Sequence, residues 1–302
     1  MTFPSIENIW TGVKYFFLLP LFSLLPFSLP YRFSCSLSRV EYRYHSARGE
    51  RIKKEMARLL PGEFNSIKAI DLALRRYFEV IFCDDVDAFI YLFGFSKRFL
   101  KKVKIEGGEH LHESLREKGG ILLSAHYGGG FWALPFLKQR GFRVHFFSAD
   151  VKREDYPSKK PLYFYHRLRN YLVEKASGSR VLFKNEGRKG IIRALEKGGW
   201  VMILFDVPPF LVKERKEVSF LGRRTWLPTG ILSVAKKMNV PILPFFSFLD
   251  DGRHRRICFE RPIYVKKEEE GMEACARLIE KRIIERPDHW HFWPIAGHFF
   301  TD

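Results

Sequence analysis

The segment of this chain richest in chemistry is Ser124-Ala125-His126-Tyr127-Gly128-Gly129-Gly130, where an apolar run, Ile121-Leu122-Leu123, delivers a histidine into a glycine-rich turn. A short Ile/Leu run without alternation suits a strand of a parallel sheet covered on both faces, and ligands of such sheets bind beyond the carboxyl ends of the strands. Imidazole is the side chain whose ordinary pKa lies nearest neutral pH, so His126 is a candidate general base. The plainer alternative is a strand-end histidine bonded to backbone, but the glycines after it make sense chiefly if something approaches the backbone closely. A histidine base works better when a carboxylate fixes its tautomer and stabilises the imidazolium. Asp206, at the end of a second apolar run from Trp200 to Phe205, is the first candidate for that carboxylate, and Glu217 is the second. Each has an ordinary alternative: a turn residue before Pro208-Pro209 for Asp206, and a solvated strand residue beside Lys213, Arg215 and Lys216 for Glu217. The amides of Gly128, Gly129 and Gly130 could bind an oxyanion or a phosphate. Arg223 and Arg224 carry the forked guanidinium that suits phosphate oxygens, with Arg167 and Arg169 as weaker candidates; simple solvation is the alternative for all four.

The elements that must position these residues alternate from residue 103 onward. Strands are expected at 103–107, before His126, at 142–147, 180–183, 200–205 and 240–246. Helices are expected at 109–118, 131–140, 162–175, 187–197 and 228–238. Such alternation predicts an α/β fold with a mainly parallel central sheet flanked by helices on both faces. Before it, 38–60 reads as a helix that starts at a serine and stops before Pro61-Gly62, and 66–95 repeats apolar residues at helical spacing. Residues 13–31 are strongly apolar with Lys14 as the one charge, but Pro20, Pro26 and Pro30 each remove a backbone donor and argue against a simple spanning helix. The expectation is an N-terminal helical membrane-associating region whose anchor lies in or dips into one leaflet. Arg32, Arg39, Arg43, Arg48, Arg51, Lys53, Lys54 and Arg58 follow, as for a flank meeting anionic headgroups. The domain reading is 1–36 anchor, 37–102 helical region and 103–302 α/β domain.

A formal charge of +18 implies an anionic partner, with a generic solubilising surplus as the alternative. No helix-turn-helix, RRM or zinc-finger pattern gathers the basic residues, so an anionic membrane, an acidic carrier protein or a phosphorylated lipid fits better than nucleic acid. The four cysteines lack metal or disulfide spacing, which favours a reducing compartment. His289, His291 and His298 lack the acidic or thiol companions of a metal site, and none is expected. The 30 phenylalanines suit a hydrocarbon-lined groove, with Trp226, Trp290, Trp293, Phe299 and Phe300 as candidates for headgroup-level seating; ordinary core packing is the alternative.

Ser124-Ala125-His126-Tyr127-Gly128 followed by Trp132-Ala133-Leu134-Pro135 resembles the opening block of the bacterial lipid A biosynthesis acyltransferases (the lauroyl and myristoyl acyltransferases among them), within the wider glycerolipid and lysophospholipid acyltransferase superfamily. Later blocks follow in the family's order over about 100–295. They are Gly187 to Gly199 before the strand ending in Asp206, Phe220-Leu221-Gly222-Arg223, Pro228-Thr229-Gly230, Val240 to Pro244 and Arg286 to Pro294. The resemblance implies transfer of a fatty acyl chain from an acyl carrier protein or coenzyme A thioester to a hydroxyl of a glycolipid or lysophospholipid. That reaction needs no cofactor beyond the acyl donor. It also implies a peripheral or monotopic seat on the cytoplasmic face of the bacterial inner membrane. The family's histidine is followed shortly by an Asp or Glu that orients it. Here the fifth residue after His126 is Phe131, and reading an extra glycine into the turn puts Ala133 in that place. Two readings follow: an enzyme whose acid comes from elsewhere, or a lipid-binding relative that kept the fold and lost the dyad.

Overall fold

The computed structural model describes residues 5–300 apart from 27, 45, 65 and 115. The chain opens with helices α1 (Ile6–Val13), α2 (Leu19–Ser23), α3 (Leu29–Tyr44), α4 (Ser46–Leu59), α5 (Ile67–Leu92) and α6 (Ser96–Leu100). A π-helical stretch, Lys14–Leu18, joins the first two. Then come β1 (Lys104–Glu106), α7 (Gly108–Ser114), β2 (Gly120–Ser124), α8 (Ala133–Gln139), β3 (Val144–Ser148), α9 (Lys160–Ser177), β4 (Leu182–Phe183), α10 (Gly187–Glu196) and β5 (Trp200–Leu204). A hairpin of β6 (Arg215–Phe220) and β7 (Arg223–Pro228) follows, then α11 (Gly230–Met238), β8 (Ile242–Asp250), β9 (His254–Phe259) and α12 (Glu268–Glu285).

The main sheet has the order β1-β9-β8-β2-β5-β3-β4. β4, β3, β5, β2 and β8 run the same way, while β9 is antiparallel to β8 and β1 is parallel to β9. All of β2 is buried. Ile121 and Leu123 join the core under α4, α10, α11 and α12, and Leu122 joins the other core under α7, α8 and α9. That is the two-residue period of a strand covered on both faces. After β2 the chain passes through α8 to β3, beyond β5; after β5 it passes through α11 to β8, beyond β2. The connections thus leave this strand pair in opposite directions over opposite faces, which opens a crevice at the carboxyl ends of β2 and β5.

Several boundaries differ from the sequence expectation. The helix predicted from 38 to 60 is two helices, α3 and α4, and α3 starts at Leu29, so the boundary drawn at 36/37 falls inside it. The stop before Pro61 holds. α5 is capped by Ser66, whose side chain accepts from the Ala69 amide, and it contributes to both cores, Tyr77 and Phe78 to one and Val80, Val86 and Phe89 to the other. β9 and α12 had no counterpart in the alternating pattern, and the hairpin ribbon pairs apart from the main sheet.

Among the described residues no helix is long and apolar enough to cross a membrane. Lys14, the lone charge of the apolar stretch, turns inward: its Nζ lies 3.0 Å from Asp85 of α5 and 3.7 Å from the centre of the Phe82 ring. Tyr15 and Tyr165 donate to the same carboxylate at 3.1 and 2.7 Å. A buried ion pair with its remaining lone pairs bonded is tolerated where an isolated charge is not. It fastens the first helices to α5 and leaves Ile6, Ile9, Phe17, Leu21 and Leu24 on the outside.

Candidate active site

Gly120 to Ser124 of β2 pair in register with Trp200 to Leu204 of β5. Two residues past the end of each strand stand His126 and Asp206, so the register carries them side by side. The Phe205 amide donates to Ser124 O at 2.8 Å and continues the ladder. The His126 amide then donates to both Asp206 oxygens at 2.9 and 3.0 Å, and His126 Nδ1 lies 2.9 Å from Asp206 Oδ1. Trp290 Nε1 donates to Asp206 Oδ2 at 2.9 Å. The carboxylate is fully buried and surrounded by donors, while the imidazole is 32% exposed and its Nε2 has no partner among the described residues. A carboxylate that only accepts assigns the proton to Nδ1 and leaves the Nε2 lone pair facing outward. Phe292 stacks on the ring with centroids 4.0 Å apart, which restricts its rotation.

The glycine turn is built by close packing. Gly128 and Gly129 have φ of +56° and +62°, where side chains are strained. A Cβ on Gly128 would overlap the Ser247 carbonyl of β8, and one on Gly129 would overlap the Asp84 carboxylate of α5. The Gly128 amide is taken by His289 O at 2.9 Å. Gly129 is buried and Gly130 half-buried, and no partner for either amide is found among the described residues.

The other charged candidates stand on the hairpin and on α9. Glu217, on β6, faces solvent with its side chain 46% exposed and lies 3.6 Å from Arg224 of β7, which is 80% exposed. The cause is cross-strand pairing of opposite charges on the outer face of a ribbon. Arg223 stands opposite Phe220 across the same hairpin and is half-buried, so the two adjacent arginines point to opposite faces of the ribbon. Arg167 is exposed and donates to Tyr163 at 3.3 Å, and Arg169 is half-buried on α9. Trp290, Trp293, Phe299 and Phe300 are buried and belong to the core, which corrects their expected seat at a headgroup layer; Trp226 is half-buried.

The C-terminal histidines also need correcting. His291 Nε2 lies 2.8 Å from Asp84 Oδ2, and His289 Nδ1 3.3 Å from Asp288 Oδ1, so both have acidic companions. His289 is buried, and its Nε2 accepts from the Leu249 amide at 2.9 Å; burial holds its pKa below the ordinary histidine value, against the pull of Asp288. No group of three or more His, Cys, Asp or Glu able to hold a metal is found among the described residues. The segment from Asp288 to Phe292 is the part of the site that residue-by-residue reading missed. Its dense alternation of histidine and aromatic residues was the available signal.

The model of the bacterial lipid A biosynthesis acyltransferase family matches residues 3–293 of the 302-residue chain. This chain belongs to that family. The match takes in the N-terminal helices as well as the α/β part, further than the blocks recognisable by eye, which began near residue 100. No curated protein is found to be similar to the chain. As a lipid A biosynthesis acyltransferase by family, the protein has its histidine at the carboxyl end of β2 and an aspartate from β5 bonded to it, with no acid in the turn itself.

Proposed function

We propose that the protein transfers a fatty acyl chain from an acyl carrier protein or coenzyme A thioester to a hydroxyl of a glycolipid resembling a lipid A precursor, or of a lysophospholipid. The observation that carries this reading is the contact between His126 Nδ1 and buried Asp206, with Nε2 open at the crevice. Nε2 takes the proton of the acceptor hydroxyl as its oxygen attacks the thioester carbon. The tetrahedral oxyanion is stabilised, in this reading, by the amides of Gly129 and Gly130. Collapse breaks the C–S bond, and the leaving thiolate recovers the proton from the imidazolium. The products are an ester and a free thiol. The alternative of a relative without a dyad loses its motive, because a carboxylate does reach His126. Lipid extracts from cells with and without the gene, compared by mass, test the reaction. The expected result is loss of one acyl group of defined length from a single lipid class, and identical spectra refute the proposal.

The protein acts, in this reading, at the cytoplasmic face of the bacterial inner membrane. The support is an outward apolar strip, with Phe17 71% and Leu21 59% exposed, close in sequence to exposed Arg32, Arg39 and Arg43. Burying a Phe or Leu side chain is worth about 1.5–3 kcal/mol. Phe17→Ser with Leu21→Ser should therefore weaken binding to phosphatidylglycerol-containing vesicles by on the order of 100-fold. Flotation measures it, and undiminished binding would remove this strip from the account.

A further inference from the structure

The turn after His126 contains no acid, yet one carboxylate is packed against it. Asp84, buried on α5, occupies the space that a Gly129 side chain would need. It stands at the meeting point of two arms that reach the backbone around His126. Arg255 of β9 has Nη2 2.6 Å from Asp84 Oδ1, and its Nη1 donates to Gly128 O at 3.2 Å. His291 has Nε2 2.8 Å from Asp84 Oδ2, and its amide donates to His126 O at 2.8 Å. Tyr77 donates to His291 O at 3.1 Å and steadies the second arm. Asp206 thus holds the amide and ring of His126, while the carbonyls of His126 and Gly128 are held by groups that both converge on Asp84.

Resting on the acyl-transfer reading above, we infer that Asp84 is a positioning residue: through Arg255 and His291 it sets the backbone of the glycine turn. It thereby sets the aim of His126 and of the Gly129 and Gly130 amides. A second acid, from α5, thus backs the turn from behind, and glycine stands at 129 so that it can enter. Asp84 does not touch the reacting atoms, so its effect falls on kcat rather than on acceptor binding. Burial works against its charge, but Arg255 and His291 outweigh burial and keep the carboxyl below the usual aspartate range, which maintains both contacts at neutral pH.

The test uses the full chain, with membranes of gene-deleted cells as acceptor and radiolabelled dodecanoyl thioesters of acyl carrier protein and coenzyme A as donors, at a temperature where every variant is folded. Asp84→Asn keeps the shape against Gly129. It should lower kcat by about 10- to 100-fold, the scale of a small misplacement of reacting groups, with KM within about 2-fold. His291→Leu should do the same, while His291→Gln, whose amide can still donate toward Asp84, should recover most of the loss. This pair decides the matter even if Asp84→Asn fails to fold. Wild-type kcat in folded Asp84→Asn or in His291→Leu overturns the inference, and so does equal loss in His291→Gln and His291→Leu. If His126→Ala is inactive while the Asp84 and His291 variants turn over normally, only the role of Asp84 falls. If His126→Ala is active, the acyl-transfer reading falls with it.

Discussion

His126→Ala should lower kcat by about 10²- to 10⁴-fold, the usual contribution of a positioned general base, while leaving the melting temperature nearly unchanged. The ring is partly exposed, and its loss removes one stacking contact with Phe292 and one bond to Asp206, whose carboxylate keeps the His126 amide and Trp290 as donors. Asp206→Asn is the sharper companion. An amide in place of the carboxylate can offer an N–H to Nδ1, which favours the tautomer with its proton on Nε2, the wrong nitrogen for a base. Its kcat should fall nearly as far as that of His126→Ala, and the double variant should be little worse than either single one, because the two residues act as a unit. Single-turnover acyl transfer measures all three. Additive losses, or normal turnover in His126→Ala, would remove the dyad from the mechanism.

How much of this centre was legible in the sequence follows from the range of the contacts. The apolar runs before His126 and Asp206 marked β2 and β5 because strands buried on both faces leave a local signature. Strand-end positions then made both residues candidates, although their adjacency needed the order β2-β5, which no local pattern encodes. Glu217 was the second choice for the same reason: sequence distance cannot tell a strand in the main sheet from one in a separate ribbon. The aromatic residues at 290, 293, 299 and 300 have the composition of an interfacial belt and the burial of a core, since a large apolar ring serves either place. Asp84 was hidden most thoroughly. It lies with Asp85 and Asp87 in an acidic cluster within the otherwise apolar middle of α5, where helical periodicity does not show that the cluster is buried or that Asp84 will meet Arg255 from β9 and His291 from the C-terminal segment.

Arg255→Met should destabilise the fold by about 3–5 kcal/mol at neutral pH, the cost of leaving buried charge without its partner. The guanidinium is buried, with Nη2 2.6 Å from Asp84 and 2.8 Å from Asp87. Both are close ion pairs off the ideal hydrogen-bond line, which makes the cation's charge rather than its geometry the larger contribution. Asp87 also accepts from Tyr31 at 2.5 Å, yet burial pushes its pKa up to about 6 against the pull of Arg255. Without the arginine the largest charge opposing burial is gone, so Asp87 should rise further and Asp84, held below the usual aspartate range by Arg255 and His291, should rise as well. A carboxyl whose folded pKa lies above its unfolded value, about 3.9, contributes its full stability below that value and loses it as pH rises through the folded pKa. The deficit of Arg255→Met should therefore be largest near pH 7.5 and shrink toward pH 5, where the orphaned carboxyls are neutral. Urea unfolding of the variant and wild type at the two pH values measures the difference. A deficit independent of pH would mean that lost packing, not unpaired charge, dominates at this position.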